Sequence, residues 1–574
     1  MKKYYAMASV FALSAFLVGC NSGDDTNGEG SDNGTDGASE GTSESGYDEN
    51  ASITYAVDNA PQGMYMPGYT TSATDSQIND FIHVSFFEAN PELQFEPRLA
   101  EWETEDNQHY TFTIQEGVKW HNGEELTAND WKFAIEVLAD PDYTGERYSY
   151  VSGIEGAEER KAGDADEVSG FEVIDEYTVE VTFSDARVNN LENLWPDPMP
   201  KAELEDIAIA DLEDAPELRE HPVGLGPFKV ANIVAGESLT LERFDDYYDE
   251  TAKIAEVVVR VVDPSISIGA LQNGEVDFME VRPDDVPDLE SQDHLEVIDH
   301  PGLGYSYIGF RFGHRDEEAS ENNADFDKFE DVRLRQAMFY ALDRESLINA
   351  YLGGYATPVN TPVPTSHWIA APESELTQYN YDVEKAEELL DEAGYVDTDG
   401  DGFREDPDGE EFTISFGHYE GPAAFEGRTQ AIMQAWNDIG LRTELATGGL
   451  VEFNTFNEMK RNDDEALETF FGAWVTGTDP DPSNLWGSNA EWNYGRWVNE
   501  ESDELLADAL SEASFDEDYR RDVYIEWQQL FNEELPGLPV WENVDLYAKN
   551  TRVEGVTIDV RGGVNNPNEW YVAQ

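Results

Sequence analysis

The stretch DTDGDGFREDPD sets carboxylates at its first, third, fifth, ninth and twelfth positions, namely Asp397, Asp399, Asp401, Glu405 and Asp408, with Gly402 at the sixth. That is the spacing of a calcium loop, in which several oxygens converge on a hard cation and a glycine permits the sharp bend. Asp408 replaces the longer Glu that would close the loop with both oxygens, so the competing reading is an acidic turn between a helix and a strand. A calcium ion here would be structural, since no nucleophile or base stands nearby, and no cofactor is required.

The single cysteine, Cys20, follows Lys2, Lys3 and about fifteen mostly apolar residues from Tyr4 to Val18. That run is short for a membrane span and reads as an export signal over residues 1–19. Its ending, LVGC, resembles the bacterial lipobox. The resemblance implies cleavage before Cys20, a diacylglycerol on its sulfur, and anchoring to the outer face of the cell membrane. Residues 20–49 are almost entirely Gly, Ser, Thr, Asp, Asn and Glu, the composition of a flexible, self-repelling tether. The GASEG within it matches a hydrolase elbow only by coincidence, because that motif needs a strand before the serine and a helix after it.

Other chemistries are excluded by what is missing. One cysteine rules out a disulfide framework. The nine histidines show no HxH, HxxxH or HExxH spacing, and no Walker loop or GxGxxG after a strand occurs, so zinc and nucleotide binding are not expected. The chain carries 123 Asp and Glu against 34 Lys and Arg, a formal net charge of −89, which disfavours nucleic acid and anionic lipid surfaces as partners. The acidic residues are interspersed with aromatic and periodic apolar positions, so they describe the surface of a folded protein rather than disorder. In concentrated brine the Debye length shrinks to about 3 Å, and the composition suits an exported protein of a halophilic or haloalkaliphilic bacterium.

The elements that must position any site are legible in several passages. In HYTFTIQEGVKWHNGEELTANDWKFAIEVL, Tyr110, Phe112 and Ile114 alternate as in a half-buried strand, Asn122 and Gly123 form a turn, and Thr127 with Asp130 makes a capping box before a helix. VRLRQAMFYALDRESLINAYLGG predicts one long helix closed by Gly353 and Gly354. DVEKAEELLDEAG predicts another, capped by Asp382 and ended by Gly394, and a further amphipathic helix is expected after Ser502. Strands such as AEVVVRVV and EFTISFGHY alternate with these helices, so the class is α/β.

The passage LAEWETEDNQHYTFTIQEGVKWHNGEELTANDWKF, followed in order by HPVGLGPFKV, ALQNGEVDF, VRLRQAMFYALDRESLI, YDVEKAEELLDEAGYVDTDGDG, QAWNDIGL and GTDPDPSNLW, resembles the extracellular solute-binding proteins of family 5. These are the oligopeptide- and dipeptide-binding receptors of ABC importers. The resemblance implies a type II periplasmic-binding-protein fold of two lobes with an inserted subdomain and a ligand cleft between the lobes. By analogy, lobe I takes residues 50–92, 215–305 and 548–574, the insertion 93–214, and lobe II 306–547. It also implies a monomeric receptor that hands an oligopeptide to a permease with separate ATPase subunits, without catalysis.

The same resemblance places GAWVTGTDPDPSNLWGSNAEWNYGRW at the cleft. Trp474, Val475, Thr476, Gly477, Asp479, Trp486, Trp492 and Trp497 are its candidate ligand residues. In the peptide receptors an Asp three residues before the DP step pairs with the ligand's α-amino group. Here that position is Thr476, which carries no charge. Either Asp479 takes over, or the amine is not fixed and the peptide is held by backbone pairing along Trp474 to Gly477; the second reading is preferred. The tryptophans also fit an oligosaccharide receptor of the same family. An extracellular hydrolase with paired carboxylates is the reading from a different class, weakened by the chance pairs that 123 acidic residues guarantee.

Overall fold

A computed structural model describes residues 46–316 and 319–573. The expected export signal, Cys20 and residues 20–45 of the expected tether lie outside them. The last tether residues are docked: Tyr47 bridges Ala573, and the Asp48 N–H donates to Val572 O at 2.9 Å.

Local patterning produces the expected elements where it is strong. In the strand His109–Ile114 every second residue is buried. The helix Ala128–Leu138 follows a capping box in which the Thr127 N–H donates to the Asp130 carboxylate at 2.9 Å. The helix Val383–Ala393 starts where Asp382 accepts from the Lys385 N–H at 2.9 Å, and ends at Gly394, whose φ of 92° suits a residue without Cβ. The long helix predicted over VRLRQAMFYALDRESLINAYLGG is instead two, Val332–Tyr340 and Arg344–Tyr351. Asp343 breaks it, because its carboxylate accepts from the Ser346 N–H at 3.0 Å and so starts a new helix. The buried Arg344 side chain then reaches the Tyr379 carbonyl at 2.9 Å.

An eleven-stranded sheet among the described residues runs through the body. Its centre is a pair of long antiparallel strands, Leu295–Phe310 and Gly537–Asn550. Leu295 to Pro301 pair with Asn550 to Val544, Tyr305 and Ser306 with Glu542 and Trp541, and Tyr307 to Gly309 with Pro539 to Gly537; the register shifts between Pro301 and Tyr305 and again between Ser306 and Tyr307. Each long strand therefore passes from one lobe to the other. At the passage a Cβ on Gly302 would stand 3.2 Å from Asn543 O, and one on Gly304 3.2 Å from the Asn543 side-chain Nδ2, so the two glycines ease a close approach of the strands.

On one side of the pair lie Phe278–Glu280, Ser52–Val57, Glu256–Val261, Ser238–Arg243 and Phe228–Val234; on the other lie Thr469–Val475, Thr413–Gly417 and Arg442–Leu445. The first lobe buries Ile53, Phe81, Val257, Phe278 and Trp570. The second buries Phe310, Met338, Leu390, Ile414, Trp436 and Trp541. The four-stranded antiparallel sheet of Ala100–Thr104, His109–Ile114, Thr178–Thr182 and Phe171–Val173 has its own core, with Trp131 stacked on Phe86 at 4.1 Å.

Candidate ligand-binding site

A cavity of about 710 Å³ lies where three parts of the chain meet. The first lobe contributes the helix Ala73–Ile82, through Gln77 and Asp80, and the turn around Arg561. The part of the chain that carries the four-stranded sheet contributes Arg147, Tyr150, Glu192, Trp195 and Asp197, and the loop after Thr469–Val475 contributes Gly477 and Thr478.

Its electrostatics are dominated by carboxylates. Arg561 pairs with Asp559 at 3.3 Å and lies in the field of Asp80 and Asp197. Burial pushes the Asp80 carboxyl up to about 7, although the Val564 N–H donates to it at 3.1 Å. Burial raises Asp197 as well, against the Ser85 hydroxyl that donates to it at 2.6 Å. Glu192 is pushed up to about 7, first by burial and then by the negative charge of Asp479. Under the loop, buried His367 is pushed down to about 4 by burial and stays neutral.

The strand Thr469–Val475 leads into this cavity. One edge pairs along its whole length with Phe310 to Gly304, whereas on the other only Thr469 and Phe470 find partners, Phe416 and Gly417. From Phe471 onward that edge faces no strand among the described residues. Trp474 stacks on Tyr494 at 5.8 Å and approaches the half-exposed Trp492 at 6.3 Å. Together with Tyr419, Phe453 and Lys460, Trp474 and Tyr494 line a second concavity of about 530 Å³.

The residues expected at the cleft thus separate into groups. Gly477 lines the cavity, Trp474 lines the second concavity, and Val475 and Trp492 line neither, Val475 being 77% exposed. Thr476 turns away, since both its N–H and its hydroxyl donate to Leu303 O, at 2.9 and 3.0 Å. Asp479 is held by Arg520 at 2.7 Å. Trp486 and Trp497 do not line the cleft. Both are buried in the second lobe, with the Trp486 N–H donating to the Tyr305 hydroxyl at 3.1 Å and its ring edge-on to Phe531. Sequence reasoning passed over Glu192, Trp195, Asp80, Asp197 and Arg561. Against so many acidic residues a single Glu carries no signal, although LENLWP does set Glu192 among apolar neighbours.

The acidic loop is partly assembled. Ligand oxygens of Asp397, Asp399 and Asp401 lie within 4.8 Å of one another. Glu405 is not part of that cluster and accepts from the Thr398 N–H at 2.7 Å, while Asp408 belongs to the next turn, closed by Asp406. Asp401 also pairs with Arg442 at 2.6 Å.

The family model for bacterial extracellular solute-binding proteins, family 5, matches residues 94–496. The chain belongs to that family. It is 27% identical over 461 residues to the oligopeptide-binding protein OppA of Lactococcus lactis subsp. cremoris, covering 78% of this chain and 77% of that one. It is 27% identical over 515 residues to the oligopeptide-binding protein AppA of Bacillus subtilis, covering 88% and 89%. The structure of lactococcal OppA, complexed with an endogenous peptide in the closed conformation, superimposes with a TM-score of 0.71 at 25% identity, over 91% of this chain and all of that one. The fold is therefore the two-lobed periplasmic-binding-protein fold, and family membership places the chain outside the cytoplasm as a solute receptor.

Proposed function

We propose that this protein is the oligopeptide receptor of an ABC importer, tethered outside the cell by lipid on Cys20 and binding its ligand without chemical change. The observation that carries the reading is the open edge of Thr469–Val475 beyond Phe470, beside a cavity between the lobes. An extended peptide laid on that edge pairs its backbone with the strand, which gives affinity indifferent to side chains. The long strands Leu295–Phe310 and Gly537–Asn550 let the lobes close around it, pivoting at Gly302 to Gly304. Lactococcal OppA holds a peptide in a closed form of the same fold, which supports the same ligand class here. The monomer would present the closed form to its permease, with ATP hydrolysed by separate subunits.

Mass spectrometry of ligand released from the purified protein tests this, with calorimetry against mixed oligopeptides and against oligosaccharides. Recovery of unmodified peptides is expected. Recovery of sugars, or of peptide fragments that accumulate with time, would replace the reading with a sugar receptor or a hydrolase. The anchor is tested separately: Cys20→Ala should release the protein into the medium and abolish fatty-acid labelling. A second reading attaches to Asp397, Asp399 and Asp401, whose convergence supports a structural calcium ion.

A further inference from the structure

Around the cavity, carboxylates outnumber guanidinium groups five to three. Most of these carboxylates are already engaged. Glu88 pairs with Arg98 and Asp559 with Arg561, Asp197 accepts from Ser85, and Asp80 accepts from the Val564 N–H. Glu192 differs. Its Oε2 is buried and has no hydrogen-bond partner among the described residues. Its Oε1 sits 3.6 Å from where a Cβ on Gly477 would stand, so the carboxylate is seated against the turn that ends the open strand edge.

The side chains on that turn cannot satisfy it. The Thr476 hydroxyl is turned toward Leu303, and Asp479 adds a second negative charge that Arg520 already neutralises. The Asp479 backbone N–H and the field of Arg561 favour the ionised carboxylate, but its buried Oε2 keeps no donor, which is costly, and a cation placed against it removes that cost. Trp195 lines the same cavity, is only 7% exposed, and its indole N–H also lacks a partner. An unsatisfied carboxylate and an unsatisfied N–H together complement a positively charged group with an amide carbonyl nearby.

Resting on the peptide reading, we infer that Glu192 is the cation-recognising residue of the cavity, receiving the α-ammonium of the bound peptide or the charged side chain of one of its lysines or arginines. The inserted subdomain thereby supplies the anion that the second lobe's loop lacks at Thr476.

Calorimetry with three synthetic hexapeptides tests this: one of alanine and valine with a free amino terminus, its N-acetyl form, and an N-acetyl form carrying one lysine. For the wild type, acetylation is expected to weaken binding about tenfold or more, the range of a charge-assisted hydrogen bond. Recovery of affinity by the lysine form would identify a side chain as the source of the cation, and no recovery would identify the terminus. Glu192→Gln should erase the preference for the charged forms and Glu192→Asp should keep part of it, with melting curves of both variants showing that they fold. Equal wild-type affinities for all three peptides, or a preference unchanged in Glu192→Gln, would overturn the inference while leaving the peptide reading intact. No binding of any hexapeptide, free or acetylated, would overturn both.

Discussion

Asp479 and Arg520 meet at 2.7 Å, with only 12% and 6% of their side chains exposed. The carboxylate that follows the open strand edge is thus tied to the helix Glu517–Glu534 and shapes the loop from beneath. Removing one partner of such a pair leaves a buried charge alone, which costs on the order of 3 kcal/mol. Arg520→Ala should lose about that much in urea denaturation. Asp479→Asn should lose less, since the amide still accepts a hydrogen bond, and should leave the ratio of free to acetylated peptide affinity unchanged. A loss of that ratio in Asp479→Asn would move the amine anchor from Glu192 to Asp479.

Asp80 and Glu192 give the peptide-free protein a definite pH response. Both carboxyls are pushed up to about 7 when folded, against about 4 in an unfolded chain. Between those values the folded state binds more protons, so their contribution to stability falls as pH rises from about 4 to 7 and stays low above it. Asp80→Asn should therefore be more stable than wild type at pH 8, by on the order of 1 to 3 kcal/mol, and the difference should vanish near pH 4. Denaturation at the two pH values checks this. A variant less stable at pH 8 would mean that Arg561 holds Asp80 ionised.

Calcium gives a third expectation. After chelator treatment, added calcium should raise the melting temperature, with stabilisation reaching about 2.7 kcal/mol at a hundredfold excess over Kd. Asp397→Ala with Asp399→Ala should lose that shift. These two are preferable to Asp401, which also holds Arg442. No shift in the wild type at millimolar calcium would leave the segment as a turn.

A net charge of −89 makes the compact state repel itself, and salt screens this. The melting temperature should rise steeply between about 0.05 and 2 M sodium chloride, and a variant with surface Asp and Glu changed to Asn and Gln should respond less. A flat curve for the wild type would remove the halophilic reading.

Much of the fold was legible because the signals are local. Alternation at Tyr110, Phe112 and Ile114, the Thr127 and Asp130 cap, and the Asp382 start and Gly394 stop are decided within a few residues of themselves. Asp343 shows the limit. A cap inside a helical pattern is ambiguous until the structure shows its carboxylate taking the Ser346 N–H and starting a new helix. The family resemblance pointed to the segment after Thr469–Val475, but of the residues it named only Gly477 lines the cavity.

By itself the sequence determined the α/β class, the family and the large negative charge, because composition, periodicity and ordered motifs survive without knowledge of distant contacts. Only the tertiary structure decided that Trp486 and Trp497 are core while Trp474 stacks on Tyr494 beside the half-exposed Trp492, that Arg520 occupies Asp479, and that Glu192 faces Gly477. Each of these depends on which surfaces meet across long loops of chain. Burial and pairing are properties of those meetings, so four tryptophans alike in sequence context, or one glutamate among so many carboxylates, acquire their roles only when the lobes and the insertion are packed together.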